Sequence, residues 1–371
     1  MSYLGESIKK LGFGLMRLPM MGEDVDIEQT KKMVDYFMEN GFTYFDTAYV
    51  YIGGKSECVL KEAVVDRYPR ESFQTASKLP VFNINKPEEM MPIFEESCTR
   101  AGLDYYDFYL LHSLSSGSYP KTNELGAWDF LKQLKADGRI KHLGFSFHDK
   151  AELLEQILTE HPEAEFVQLQ INYADWEDGN VQSRKCYEVA RAHNVPVIVM
   201  EPVKGGSLAT MVPEIQDMFK ECRPDMSVAS WALRYTASMD GIITVLSGMS
   251  DWAQMEDNCK TFKNFEPLSD EENKVLDKAV EKLKNIHTVP CTSCKYCVDD
   301  CPQNINIPFI LDKLNNVTLY NNLEHDRSTY AFHTKEKGKA SDCIACGLCE
   351  GICPQHIDII DQLKSAVSVL E

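Results

Sequence analysis

Eight of the 13 cysteines in this chain fall into two copies of one spacing, C-x2-C-x2-C-x3-C-P. The first is Cys291, Cys294, Cys297 and Cys301 with Pro302; the second is Cys343, Cys346, Cys349 and Cys353 with Pro354. Three thiolates within seven residues let one short loop wrap three corners of an iron-sulfur cube, while the fourth reaches outward, so the pattern reads as two 4Fe-4S clusters. A structural zinc site, the competing reading, more often uses two separated Cys pairs that pinch one tetrahedral ion. The other five cysteines (Cys58, Cys98, Cys186, Cys222, Cys259) keep no ligand spacing and suit small residues on or under helices. The two copies continue alike, as Cys301-Pro-Gln-Asn-Ile-Asn-Ile307 and Cys353-Pro-Gln-His-Ile-Asp-Ile359, each followed by an apolar helical run.

A second group of chemistry-bearing residues lies far upstream: Asp46, Tyr51, Lys78 and His112. Each alone is bland, since an Asp caps turns, a loop Tyr packs and a His is often a satisfied core residue. Together they describe a proton donor. A tyrosine has an ordinary pKa of about 10, and a nearby cation favours its ionised form, so Lys78 is expected to lower the pKa of Tyr51. Asp46 would hold Lys78, and His112 would orient an incoming carbonyl oxygen.

Those four residues meet only if the elements around them bring strand ends together. Short β-rich runs recur eight times between amphipathic stretches: Leu11 to Met16, Thr43 to Thr47, Phe73 to Lys78, Phe108 to His112, His142 to Ser146, Phe166 to Ile171, Val197 to Met200 and Ile242 to Leu246. Helices are expected between them, among others over Ile27 to Asn40, Lys55 to Tyr68, Pro87 to Ala101 and Glu124 to Ala136. Eight strand-helix units in about 250 residues fit an α/β chain folded as a (β/α)8 TIM barrel, whose catalytic groups lie at the C-terminal strand ends. The doubly wound sheet is the alternative, but no G-x-G-x-x-G follows the first strand. The expected organisation is a barrel over residues 1–265, a connecting helix over 266–287 and a small C-terminal α-helical dicluster domain over 288–371. Within the last, Asn315 to Lys339 reads as a surface excursion between the cluster halves.

With these residues in place, residues 8–265 resemble the aldo-keto reductase family, and the C-terminal part resembles a bacterial-type dicluster ferredoxin with a long insert. The first resemblance rests on Gly12-Phe-Gly-Leu-Met-Arg17, Phe45-Asp-Thr-Ala-Tyr-Val-Tyr51 with Gly53-Gly-Lys-Ser-Glu57, Ser77-Lys78, Leu110-Leu-His112, Gly144-Phe-Ser146, Gln170-Ile-Asn-Tyr173 and Asp257-Asn258. It implies a catalytic tetrad of Asp46, Tyr51, Lys78 and His112, and NAD(P)H as cofactor. Implied cofactor contacts are Met16, Ser146 and Gln170 (the last two at the nicotinamide carboxamide), Met200, the turn Pro202, Val203 and Lys204 at the pyrophosphate, Gly248, and Asn258 at the adenine. The chain departs from the family where Phe147 replaces an Asn, where Met200 replaces an aromatic residue, and where Gly248 and Gln254 stand in the places of a Lys and an Arg that bind the 2'-phosphate. Lys204 is one residue that could compensate. In two-cluster ferredoxins the fourth Cys of each motif ligates the other cluster.

Composition narrows the partners. A formal net charge of -19 argues against nucleic acid, whose phosphates need a basic face. The N-terminus has no apolar core with a cleavage pattern, and no run reaches membrane-spanning length, so a cytoplasmic location is expected. The expected substrate is a small-molecule carbonyl or alcohol. A hydride carries two electrons and a 4Fe-4S cluster passes one, which leaves three readings open. The barrel can be a nicotinamide enzyme with structural clusters. It can hold a flavin, with the clusters wiring it to ferredoxin or another redox partner. The chain can also be an electron-transfer or docking subunit with a vestigial barrel site.

Overall fold

Strand register decides which side chains face the middle of this protein. The computed structural model describes residues 3–179, 181–299 and 301–371. Its strands are β1 (Leu11–Gly14), β2 (Met20–Met21), β3 (Asp24–Val25), β4 (Tyr44–Asp46), β5 (Gln74–Leu79), β6 (Tyr106–Leu114), β7 (Ile140–Phe147), β8 (Phe166–Gln170), β9 (Val197–Met200) and β10 (Ile242–Ser247). Eight of them close into a barrel in the order β1-β10-β9-β8-β7-β6-β5-β4, every neighbouring pair parallel. All eight expected strands are present. The hairpin β2-β3 was not anticipated, being only two residues on each side.

Partners in parallel register share a face, and side chains alternate along a strand. Tyr44 of β4, Ala76 of β5, Phe108 and Leu110 of β6, Phe166 of β8 and Ile198 of β9 form one buried cluster with Ile243 and Leu246 of β10. Leu4 and Ile8, from the segment before β1, pack against the same cluster. Gly144 leaves room for this filling, because a Cβ there would meet the Phe166 carbonyl oxygen at 2.4 Å and its ring at 2.8 Å.

By contacts, the chain resolves into two units: Met1–Pro202 with Ala232–Leu268, and Val203–Trp231 with Ser269–Glu371. In the second, a 15-residue helix Asp270–Lys284 begins at a capping box, with Ser269 and Glu272 exchanging side chain to backbone hydrogen bonds. The two cysteine motifs are structural repeats. Positive φ recurs at matching positions: 54° at Ser293 and Ala345, 66° at Lys295 and 77° at Gly347, 52° at Asn304 and 51° at His356. After each motif comes a helix, Ile307–Tyr320 and Ile359–Leu370. Ile305, Ile307 and Leu311 from the first repeat join their counterparts Ile357, Ile359 and Leu363 in one core.

The stretch from Asn315 to Lys339 corrects the sequence reading, because most of it is helix. Ile307–Tyr320 runs into it, and Leu323–His333 follows after an αL turn at Asn321. Tyr330 is buried there, donating to Glu371 Oε1 at 2.5 Å and accepting from the Ala340 N–H at 2.7 Å. Lys335, Lys337 and Lys339 are exposed, but Asn315 exchanges two hydrogen bonds with the Val289 backbone, at 2.8 and 2.9 Å, and the contacts that fix these helices are distant in sequence. Among the described residues, no helix is long and apolar enough to cross a membrane.

Candidate functional sites

Two residues above the Tyr44–Ala76–Phe108 filling, the same inward parity changes from apolar to polar. Asp46 follows Tyr44 by two, Lys78 follows Ala76 by two and His112 follows Leu110 by two; the registers Asp46↔Ala76 and Lys78↔Leu110 make these a rising stair on adjacent strands. The register continues through Leu110↔Gly144 and Gly144↔Phe166, so Ser146 and Gln170 share that face, and Gln170↔Met200 adds the end of β9. Alternation along the strands thus delivers the expected residues to one barrel mouth.

Lys78 Nζ donates to Asp46 Oδ1 at 2.7 Å and to the Thr47 carbonyl at 2.7 Å. Side-chain exposure is 1% for Lys78 and 4% for Asp46. Burial is the largest influence on Lys78 and opposes its charge, but Asp46 and Tyr51 together outweigh it and raise the lysine pKa, so the ammonium persists. The same ammonium lies 4.6 Å from the centre of the Tyr51 ring, and the Tyr51 and His112 ring centres are 5.9 Å apart at 77°.

Tyr51 corrects one expectation. Its pKa is raised: burial is the largest cause, Lys78 opposes it, and the Asp46 and Glu201 carboxylates add to it. The cation is where the sequence put it, but enclosure wins, and Tyr51 is a fully protonated acid whose anion Lys78 helps to bear. His112 is driven down to about 3, first by burial, then by Lys78 and His148, so its imidazole is neutral near pH 7. Its Nδ1 is buried without a hydrogen-bond partner. A bare acceptor is tolerated better than a bare N–H, which places the proton on Nε2, the nitrogen able to donate to a carbonyl oxygen.

Tyr51 itself sits past β4 in the short turn Tyr51–Gly54, where Ile52, Gly53 and Gly54 have φ of 52°, 63° and 88°. Glu57, one turn into the next helix, fixes this segment: buried, it accepts from Ser77 Oγ at 2.7 Å and also from the Ser97 hydroxyl. Ser77 is the neighbour of Lys78 pointing to the other side of β5. One carboxylate therefore ties the Tyr51 turn to the strand that carries its cation.

The cofactor candidates are placed as follows. Ser146 Oγ accepts from the Ser113 N–H at 2.7 Å, which leaves its hydroxyl proton for an acceptor such as a carboxamide oxygen. Gln170 Nε2 donates to Asp175 Oδ2 at 3.2 Å. Asn258 Nδ2 donates to Ser247 Oγ at 2.9 Å, both buried. Met16 is exposed beyond β1, and Met200 and Pro202 bracket Glu201 at the end of β9. Val203 and Lys204 fall in the second unit, where the Lys204 ammonium lies 5.9 Å from the Tyr320 ring centre. Gln254 is engaged with the Asp251 cap and the Ser250 N–H. A cavity of about 180 Å³ lies at the ends of β7 and β8, lined among others by Phe147, His148, Leu169 and Gln170. These donors and the protonated Tyr51 suit a nicotinamide group.

Phe82, Arg17 and Glu201 near the mouth were not assigned from sequence, and His148, just past the fifth barrel strand, joins them there. The Phe82 ring lies 5.5 Å from that of His112, four positions past Lys78 in the loop after β5. His148 is within electrostatic reach of Lys78 and Glu201. Glu201 adopts φ 55°, a conformation costing about 1–3 kcal/mol for a residue with a Cβ, and one that a following proline disfavours further. Its carbonyl accepts from Asn172 Nδ2 at 3.2 Å, and its carboxylate lies 3.7 Å from Arg17 Nη2. A Glu before a Pro at a strand end was the only available signal.

The cysteines of the two motifs line two small cavities. One is lined by Cys291, Cys294 and Cys297 with Cys353; the other by Cys343, Cys346 and Cys349 with Cys301. Each motif thus gives three thiols to one site and its fourth to the other, and Ile307 lines both cavities. In each cavity four thiols surround a mainly apolar space, an arrangement that fits a 4Fe-4S cube. Burial pushes the Cys297 thiol up to about 11 and raises Cys291 and Cys349, so iron would be needed to make these groups thiolates.

Comparison with known proteins agrees with both halves. A model of the aldo/keto reductase family matches residues 10–281, and one of a 4Fe-4S dicluster domain matches 290–357. The chain is 32% identical over 151 residues to "Probable aldo-keto reductase 1" of Glycine max, a match that covers 38% of this chain and 42% of that protein. It is 25% identical over 281 residues to a 9,11-endoperoxide prostaglandin H2 reductase of Trypanosoma cruzi, covering 72% of this chain and 89% of that one. A Klebsiella pneumoniae aldo-keto reductase solved with NADPH shares the fold at a TM-score of 0.59 and 22% identity, over 73% of this chain and 90% of its own.

Proposed function

Because the chain belongs to the aldo/keto reductase family and carries a 4Fe-4S dicluster domain, we propose that this oxidoreductase interconverts a small-molecule carbonyl and its alcohol with Tyr51 as proton donor and acceptor. The observation that carries the proposal is the Lys78 ammonium, held 2.7 Å from Asp46 and 4.6 Å from the Tyr51 ring.

NAD(P)H is the cofactor this reading calls for, by analogy with the neighbours solved with NADPH and NADP, and when bound it supplies hydride to the carbonyl carbon. Ser146 and Gln170 would hold the carboxamide and Asn258 the adenine. His112 Nε2–H donates to the carbonyl oxygen and orients it. As negative charge grows on that oxygen, Tyr51 transfers its phenolic proton there, and the phenolate left behind is stabilised by Lys78. Asp46 keeps the lysine charged and in place. In the oxidative direction the phenolate takes the proton back.

Tyr51→Phe removes the transferable proton and retains the ring. Expected is a loss of carbonyl reduction by two or more orders of magnitude with iron content and visible absorbance unchanged; an unimpaired variant would sink the proposal. A relay role for the clusters is favoured by the sharing of Ile307 between the linings of their cavities, since two neighbouring one-electron centres together match the two electrons of one hydride. Adding NADPH to the oxidised protein without oxygen and following cluster absorbance tests it: bleaching supports a relay to a redox partner, and stable absorbance supports a structural role.

A further inference from the structure

The end of β10 is covered by charge that comes from other strands. Gly248, directly after β10, has no side chain, and Arg17 fills the space above it: a Cβ on Gly248 would lie 3.3 Å from Arg17 Cβ and 3.7 Å from its Cγ. Arg17 follows β1, which pairs with one edge of β10, and Glu201 follows β9, which pairs with the other. Their 3.7 Å ion pair therefore spans the end of the intervening strand, with the two side chains 40% and 37% exposed.

Two features suggest that this pair is built rather than incidental. Glu201 is held in the left-handed region before a proline, its carbonyl fixed by buried Asn172, so the backbone bears strain to place that side chain. The Glu201 charge is also felt at both Tyr51 and His148, which locates it at the mouth. An exposed guanidinium at 3.7 Å from a carboxylate, beyond bidentate hydrogen-bond length, is easily re-paired, and phosphate is an anion that a guanidinium matches bidentately.

We propose that Arg17 is the phosphate-binding cation of this barrel, with Glu201 as a resident counter-ion that a nucleotide phosphate displaces. The inference rests on the nucleotide reading above and adds its electrostatic determinant: Arg17, after β1, serves where Gly248, after β10, offers no cation. The phosphate can be the pyrophosphate of any nicotinamide dinucleotide or a 2'-phosphate.

Titration calorimetry on the cluster-containing protein separates these possibilities, with ADP-ribose, 2'-phospho-ADP-ribose and NADPH as probes at low and high salt. Arg17→Ala is expected to weaken binding tenfold or more, Arg17→Lys to recover part of it, and Glu201→Gln to tighten it several-fold with a steeper salt dependence, because the guanidinium is then uncompensated. A preference of the wild type for 2'-phospho-ADP-ribose that Arg17→Ala abolishes assigns the 2'-phosphate; an equal loss for both probes assigns the pyrophosphate. If NADPH binds the wild type and Arg17→Ala equally, or if Glu201→Gln weakens binding as Arg17→Ala does, the pair is structural and the inference fails while the nicotinamide reading stands. If NADPH does not bind the wild type, both fail.

Discussion

Lys78 and Asp46 form an ion pair at 2.7 Å with side chains only 1% and 4% exposed. Removing one member of such a pair leaves the other charge buried, which typically costs about 3–5 kcal/mol, whereas replacing both by apolar or neutral groups of similar size costs far less. Lys78→Met is therefore expected to lower unfolding free energy by that amount in urea. The double variant Asp46→Asn with Lys78→Met should recover most of the loss, yet remain inactive because Tyr51 has lost its cation. A double variant as unstable as the single one would mean that Lys78 acts through packing and not charge.

Acid-base behaviour of the mouth follows from enclosure. With the His112 pKa at about 3 and that of Tyr51 raised, neither group changes charge between about pH 5 and 8. For carbonyl reduction, kcat/KM is expected to show no inflection from either residue in that window, and to fall only as Tyr51 ionises above its ordinary value of about 10. An inflection near pH 6–7 in the wild type that vanishes in His112→Gln would contradict a neutral His112.

How much of this was legible in the chain depends on how local each determinant is. The stair of Asp46, Lys78 and His112 could be read because parity along a strand is a sequence property, and the cysteine spacing is one too. The direction of the Tyr51 pKa could not, since it depends on how completely the ring is enclosed, which no spacing records. Nor could the pairing of Arg17 with Glu201, which needs the order of β1, β10 and β9 around the barrel. Asn315 to Lys339 misled because its polar residues are held by partners remote in sequence: Asn315 by the Val289 backbone, and Tyr330 by Glu371 and Ala340, with Asp326 and Thr334 buried beside them in the chain.

Glu165 predicts the acid limb of barrel stability. Burial raises its pKa, but hydrogen bonds from His142, Lys135 and the Leu143 N–H outweigh this and bring it to about 2. A depressed carboxylate pKa adds stability that is fully present above the unfolded value of about 4.3 and is lost as pH falls through about 2. With 27% side-chain exposure, solvent screening holds the contribution to at most about 3 kcal/mol. Glu165→Gln should be less stable than the wild type at pH 7 and should converge with it by about pH 2, as measured by denaturant unfolding across that range.

The exchanged fourth cysteines make a prediction that motif spacing alone does not. Cys301 follows the first motif in sequence, yet it lines the cavity of Cys343, Cys346 and Cys349, as Cys353 lines that of Cys291, Cys294 and Cys297. Oxygen-free wild-type protein is expected to hold about eight irons. Cys301→Ser and Cys346→Ser each remove a ligand from the same site, so the two together should cost no more iron than either alone, leaving about four. Cys301→Ser combined with Cys294→Ser removes ligands from both sites, although both lie in one motif, and should leave almost none. If each motif instead held its own cluster, the outcomes would be reversed: the pair within one motif would spare about four irons, and the pair across motifs would lose all of them.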